Sequence, residues 1–390
     1  MCSYPPNSSP GKPGLELLSG DQLAFVPEWQ RVMANECKDH RYYRIIEQTL
    51  DNDFEHRYLV LRDDAGCIRA VQPLFFVRQN LVEGVRGKLR DLVEAVRNRF
   101  PRFLTMRVLM VGCAAGEGHL GASTREDRAR LADALHSGLL AIAREHRASL
   151  IVLKDFPSHY RDALANFSTN GYSRIPSMPL TRLELNHATF DDYLATLGKA
   201  TRKNLRRKFR TAERTGKIEL EIVTDIAPWV DEIYPLYLQV HERSALKFET
   251  LTREYFCRLG REMPDRTRFF LWRREGRLIA FSLCLIHEDT IYDEYLGMDY
   301  GVALDLHLYF YTLRDIISWA LQQGLRYYCS TPLNYDPKLH LRCDLLPLDL
   351  YVRHTMWLIN PLFRRAVKYL EPTRHDPVLK QFRNADALWN

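Results

Sequence analysis

Between Tyr193 and Glu213 the apolar residues Leu194, Leu197, Leu205 and Phe209 recur among Lys199, Arg202, Lys203, Arg206, Arg207, Lys208 and Arg210. That pattern predicts a helix that packs along one edge and is cationic on the rest. Before it, β-rich runs over Tyr58 to Leu61 and Ile68 to Val77 flank Asp-Asp-Ala-Gly, a hairpin signal in which Gly66 supplies positive φ. A strand is expected over Arg102 to Val111, a helix over Ser123 to His146 capped by Thr124 or Ser123, and a strand over Ser149 to Lys154. A short helix over Tyr160 to Phe167 and a strand over Pro179 to Leu185 complete the first half. After the basic helix the order returns: a strand meander over Arg268 to Arg273, Arg277 to Ile286 and Thr290 to Met298, a helix over Leu306 to Gln323 ended by Gly324, and a strand over Arg326 to Cys329. A meander, a helix and a strand occurring twice point to two copies of one α/β (α+β) fold.

Length agrees with that reading, because 390 residues exceed one ordinary core. The expected division is a disordered Pro- and Ser-rich tail over 1–20, a domain over 21–190, the basic connecting helix over 191–216 and a second domain with a helical extension over 217–390. The tail has no continuous apolar region of the signal-peptide kind, and no stretch is long and apolar enough for a membrane span, so a cytoplasmic protein is expected. The eight cysteines are scattered without a C-x-x-C pair, which speaks against a metal centre and for reduced thiols. The glycines of GCAAGEGHLGAS, from Gly112 to Ser123, match neither the P-loop nor the dinucleotide fingerprint. Net charge is a modest +6, so it is the concentration of cations in the central helix that points to an anionic partner. A second basic amphipathic pattern over Val82 to Phe100 leaves a peripheral membrane contact open beside a core-facing stripe.

The segment YLATLGKATRKNLRRKFRTAE resembles the domain-joining signature of FemAB-like members of the GNAT acyltransferase superfamily, among the cellulose-biosynthesis and peptidoglycan-related acetyltransferases. HERSALKFETL, EGRLIAFSLCLIHEDTIYDEYLGMDY, QQGLRYY and NYDPKLHLRCDLLPLDLYVRH follow in the same order as that family's landmarks, and the resemblance covers about Arg57 to His354. It implies tandem GNAT-like domains, each a mostly antiparallel twisted sheet flanked by helices, with the active site in the second. The activity it implies is N-acyl transfer from acyl-CoA to the amine of a small molecule, amino sugar or peptide. Aminoacyl transfer from a charged tRNA is the alternative within the same fold. A non-catalytic module that binds an acidic polymer or membrane surface is the alternative outside catalysis.

Acyl transfer to an amine needs a base for the ammonium, donors for the oxyanion and a proton for the leaving group. Glu294 is the expected base. Its neighbour Asp293 should point to the opposite face of the strand. Tyr295 is a candidate wall of the acceptor site, and Thr331 and Asn334 lie on the loop that follows the last strand. Tyr335 on that loop is the expected leaving-group acid, while the resemblance assigns Lys338 to a Y-x-x-K-like position that holds a carboxylate or phosphate. The resemblance also places His241 beside the cleft. The donor is expected at Asp299, Tyr300, Gly301 and His307, with Arg202 and Arg206 supplying charge from the basic helix. That donor loop departs from the Q/R-x-x-G-x-G/A pattern of coenzyme A sites, having Gly301 alone and Asp305 near the helix start, where it would repel phosphate.

Overall fold

The computed structural model describes residues 14–23, 26–80, 99, 105–214, 216–244, 247–369 and 371–390; the amphipathic pattern over Val82 to Phe100 falls almost wholly outside them. In chain order the elements are β1 (Gly14–Leu18), α1 (Gly20–Leu23), α2 (Glu28–Val32), α3 (His40–Thr49), β2 (Phe54–Arg62), β3 (Ile68–Asn80), β4 (Thr105–Val111), α4 (Arg125–Glu145), β5 (Leu150–Pro157), α5 (Ala165–Thr169) and β6 (Ser173–Glu184). There follow α6 (Phe190–Thr196), α7 (Lys199–Arg214), β7 (Ile218–Val223), α8 (Val230–Arg243), α9 (Arg253–Glu262), β8 (Thr267–Arg274), β9 (Arg277–His287), β10 (Thr290–Met298), α10 (Leu308–Gln322), β11 (Tyr327–Ser330), α11 (Tyr335–His340), β12 (Asp344–His354) and α12 (Asn360–Val367).

Two compact units result, and neither is one continuous piece of chain. The first comprises 1–35, 46–177 and 348–371, the second 36–45, 178–347 and 372–390. In the first, β2, β3 and β4 form an antiparallel meander, β5 pairs parallel to β4 after the crossover helix α4, and Leu348–His354 of β12 pairs antiparallel to β5. Apolar residues alternate inward from the strands and meet Leu131, Leu135 and Leu139 of α4 over Leu109, Ile151 and Phe156. In the second, β8, β9 and β10 repeat the meander, β11 pairs parallel to β10 after α10, and Thr181–Glu184 of β6 pairs antiparallel to β11. This is the tandem GNAT-like plan. Each sheet takes its final strand from the other half of the sequence.

That exchange corrects the linear division expected from the sequence. Strands β6 and β12 each begin in one unit and end in the other, so no single point of the chain can separate them. The tail is also corrected over its last residues, because Gly14–Leu18 pairs with β2 and Leu15 and Leu17 pack on the first core.

The basic segment is corrected in two ways. It lies within the second unit, not between units, with Leu205, Phe209 and Ala212 buried in that unit's core. It is also two helices. Leu197 is extended at ψ 155°, which ends α6. Arg202 Nη1 donates to the Ala195 and Leu197 carbonyls at 2.9 and 3.3 Å and so satisfies acceptors left over at the helix end. At the start of α6, Thr189 and Asp192 form a reciprocal capping box.

Cys284 and Cys329 are buried, as expected, and so are Cys37, Cys113, Cys257 and Cys343. Cys67 is disulfide-bonded, which corrects the expectation of reduced thiols throughout.

Candidate functional site

The second unit's sheet opens at β10. This strand pairs with β11 only from Thr290↔Tyr327 to Asp293↔Ser330, yet continues along β9 as far as Met298↔Ala280. At the point of divergence the β9 register shifts between Asp293 and Tyr295, so Glu294 is the extra residue of a β-bulge. The bulge breaks the alternation of faces. Asp293 points one way, and Glu294 and Tyr295 enter a common cluster on the other.

On the Asp293 side, the Ser282 hydroxyl donates to its Oδ1 and the Tyr328 hydroxyl donates to Oδ2 at 2.7 Å. Burial pushes the carboxyl above the usual range, against the lowering effect of those two donors and of Lys338. On the Glu294 side, the carboxylate meets Lys38 Nζ at 2.9 Å, with side chains only 6% and 1% exposed. Lys38 comes from the 36–45 segment of the second unit and lies 5.7 Å from the centroid of the Tyr42 ring. Tyr42 and Tyr255 share a hydrogen bond of 2.9 Å. The Tyr255 ring packs 6.2 Å from Tyr295, whose hydroxyl donates to Glu249 Oε1 at 2.8 Å. Burial first, and Glu249 second, hold the Tyr295 phenol far above its ordinary value, so it stays a donor.

Glu294, the expected base, is half of an enclosed ion pair. Neither Lys38 nor Glu249 could be found by local pattern. Lys38 precedes its partner by more than half the chain, and Glu249 lies in a polar stretch between helices.

The loop after β11 is shaped by Lys338. Leu333 and Asn334 are both left-handed, at φ 73° and 49°, and the Lys338 ammonium donates to the Thr331 and Leu333 carbonyls at 2.5 and 2.9 Å. Thr331 is fixed at the strand divergence, its N–H donating to the Asp293 carbonyl at 3.3 Å and its hydroxyl to the Glu294 carbonyl at 3.4 Å. Asn334 hydrogen-bonds Tyr309. Tyr335 is buried and donates to the Pro179 carbonyl at 2.8 Å, so its hydroxyl holds β6 and the leaving-group role expected of it finds no support in this geometry. Residues 335–340, expected as loop, form the helix α11.

Burial pushes the Lys338 ammonium down to about 8. The unfolded value is near 10.4, so between the two the unfolded chain binds more protons and stability rises with pH; below about 8 the folded chain carries the whole penalty. Urea denaturation of the wild type and Lys338→Met should accordingly show their free-energy difference moving in favour of the wild type from pH 8 to pH 10. A difference independent of pH would show that Lys338 is not desolvated as described.

The expected donor loop is occupied by the chain's own bonds. The N–H of Asp299 donates to Ile279 O, that of Tyr300 to Gln239 Oε1 at 3.0 Å, and that of Gly301 to Asp299 Oδ1 at 2.9 Å. Val302 and Ala303 donate to the Asp299 carbonyl, and Leu306, His307 and Leu308 to Val302, Leu304 and Ala303. Asp299 also pairs with Arg277 at 2.6 Å, and the Tyr300 ring lies 4.1 Å from the Arg243 guanidinium. His307 starts α10 at φ 49°, its imidazole pushed down by burial and then by Lys208 and Arg207. His241 sits against Thr250 Oγ1 at 3.2 Å and beside Tyr237. Arg202 staples the helix break, whereas Arg206 is exposed and lines a cavity of about 530 Å³ with Arg210, Arg314, Thr189 and Phe190.

A FemAB-like family profile, described as peptidoglycan biosynthesis/recognition, matches residues 26–333. Two curated relatives from Mycobacterium tuberculosis strains, provisionally named 8-amino-7-oxononanoate synthase 2, are 24% identical over 328 residues, which is 80% of this chain and 42% of theirs. The chain thus spans less than half the length of these relatives. The crystal structure of FemX superposes with a TM-score of 0.54 at 12% identity, over 90% of this chain and all of that one. A tandem GNAT protein from the clavulanic acid biosynthesis pathway gives a TM-score of 0.46 at 13% identity, over 88% of this chain and 99% of that one.

Proposed function

The chain belongs to the FemAB-like family, and on that premise we propose that it transfers an acyl or aminoacyl group to a primary amine by direct attack, at the divergence of β10 and β11. The supporting observation is the bulged strand that places Glu294 and Tyr295 together beside the opening, with Lys38 and Glu249 as their partners. The Glu294 carboxylate attracts the acceptor ammonium and takes one proton from it, which later passes to solvent. The freed amine attacks the carbonyl, and as the bond to the leaving sulfur or ribose oxygen breaks, that atom takes the second proton lost by the nitrogen. The Thr331 hydroxyl and the Tyr295 phenol stand beside Glu294, and either serves the oxyanion only by turning from its present acceptor, the Glu294 carbonyl or Glu249 Oε1. The family points to a peptidoglycan-related amine as acceptor.

Coenzyme A is the donor of the first reading, but the satisfied amides from Asp299 to Ala303 leave no ready cradle for a pyrophosphate in that loop. This favours the second reading, an aminoacyl ester carried on tRNA. Lys203, Arg206 and Arg207 on the exposed side of α7 would meet its phosphates. Under that reading tRNA binding weakens steeply with salt, and replacing these three residues by Gln flattens the log–log slope by about 2 to 3. An unchanged slope removes α7 from the donor site. Turnover followed by mass spectrometry, with a panel of acyl-CoAs in one arm and aminoacyl-tRNAs in the other, tests the transfer itself.

A further inference from the structure

Among the described residues the large apolar side chains that remain exposed are concentrated in one place. Eight are exposed, and six of them, Met356, Trp357, Leu358, Ile359, Leu362 and Tyr369, lie within fourteen residues of the first unit, with Trp357 and Tyr369 each 74% exposed. Soluble surfaces do not ordinarily gather such side chains without a use for them.

The segment is built, not frayed. Thr355 N–H donates to the Ser149 carbonyl at 2.9 Å and Met356 N–H to His354 Nδ1 at 3.1 Å. Asn360 at the start of α12 accepts from His354 N–H at 3.0 Å and donates to the Gly171 carbonyl at 2.8 Å. Val367 is buried and Phe363 packs 6.0 Å from His354, so these two fix which side of α12 faces inward. Leu362 on α12, Met356 to Ile359 in the turn before it and Tyr369 in the turn after it are exposed. Around them stand Arg364, Arg365 and Lys368, and from Thr355 to Tyr369 there is no Asp or Glu.

We propose that this platform, Met356 to Tyr369, is a docking site for an anionic lipid bilayer. The Trp and Tyr rings and the leucines enter the headgroup region, and the three cations meet lipid phosphates. Apolar side chains beside an all-cationic rim match the two attractions by which an interfacial helix binds, and an amphipathic aromatic ring suits the boundary itself. The assignment does not depend on the proposed reaction.

Flotation of the full chain with vesicles tests the assignment. The expected result is binding to phosphatidylcholine vesicles containing about one-third phosphatidylglycerol, weaker binding to phosphatidylcholine alone, and loss in high salt. Arg365→Gln with Lys368→Gln should weaken binding by on the order of tenfold or more, each charge being worth about fivefold. Trp357→Ala with Leu362→Ala should also weaken binding, and what remains should still be lost in high salt, whereas the binding left after the charge substitutions should depend less on salt. All four side chains are exposed or at the rim, so the variants should keep the wild-type melting temperature. Binding that survives both pairs of substitutions overturns the proposal, as does absence of wild-type binding. A dimer in sedimentation that the same substitutions dissociate, with no vesicle binding, would assign the platform to a second copy of the chain instead.

Discussion

Glu294→Gln is expected to reduce transfer by about 10² or more, the usual contribution of a positioned base, and to lower stability by about 3 kcal/mol, because the Lys38 ammonium stays buried without this counter-charge. Lys38→Met should cost a similar amount of stability for the mirror-image reason. The informative variant is the double, Lys38→Met with Glu294→Gln. Removing both charges also removes their desolvation, so most of the lost stability should return while activity stays low. Urea denaturation and turnover on the same four proteins read the two effects separately. A double variant that regains activity along with stability would make the pair a scaffold and exclude Glu294 as the base.

The second large effect is expected at Gly297, on β10 just past the bulge. A Cβ there would lie 2.2 Å from Phe281 Cε1 and 2.7 Å from the backbone nitrogen of Tyr237. The ring can move but the α8 backbone cannot easily do so, so Gly297→Ala should cost about 1–3 kcal/mol as overpacking. It should also impair transfer, because relief of the clash displaces the strand that carries Glu294 and Tyr295. Gly276→Ala is the control. It sits in the turn between β8 and β9 at φ 77° with nothing within 4 Å of the new Cβ, so its cost is that of left-handed backbone alone, about 1 kcal/mol, and turnover should be unchanged. Equal turnover in both variants would show that β10's position beyond the bulge does not matter to the reaction.

Much of the fold was legible from local pattern. The meander β8 to β10 was marked by apolar, β-rich runs separated by turn residues such as Glu275-Gly276, and α10 by its apolar period and the stop at Gly324. The elements that escaped depend on longer-range conditions. Helix α11 contains Pro337 and follows two left-handed residues, so its sequence reads as loop until Lys338 is seen to bind the Thr331 and Leu333 carbonyls. The exchange of β6 and β12 is a pairing choice, and each strand's own alternation is the same whichever sheet receives it.

The candidate site divides in the same way. Its strand was identified, and the opposite orientation of Asp293 and Glu294 followed from the pleat, but the bulge that turns Tyr295 to the side of Glu294 leaves no local signature. The cations of α7 were visible individually. That Arg202 is consumed by the break after α6, while Arg206 remains exposed, follows only from the extended backbone at Leu197. Asp305 and the lone Gly301 already argued against a phosphate loop. The filled amides from Asp299 to Ala303 give the stronger physical reason.

The most direct measurement of the central claim is mass-spectrometric detection of acyl transfer to a peptidoglycan-type amine, with acyl-CoA and aminoacyl-tRNA donors supplied in parallel to the wild type and to Glu294→Gln. The account predicts an amide product with the wild type, greater with the aminoacyl-tRNA donor, and a loss of about 10² or more in the variant. Absence of product with every donor, or equal product from the variant, would contradict it.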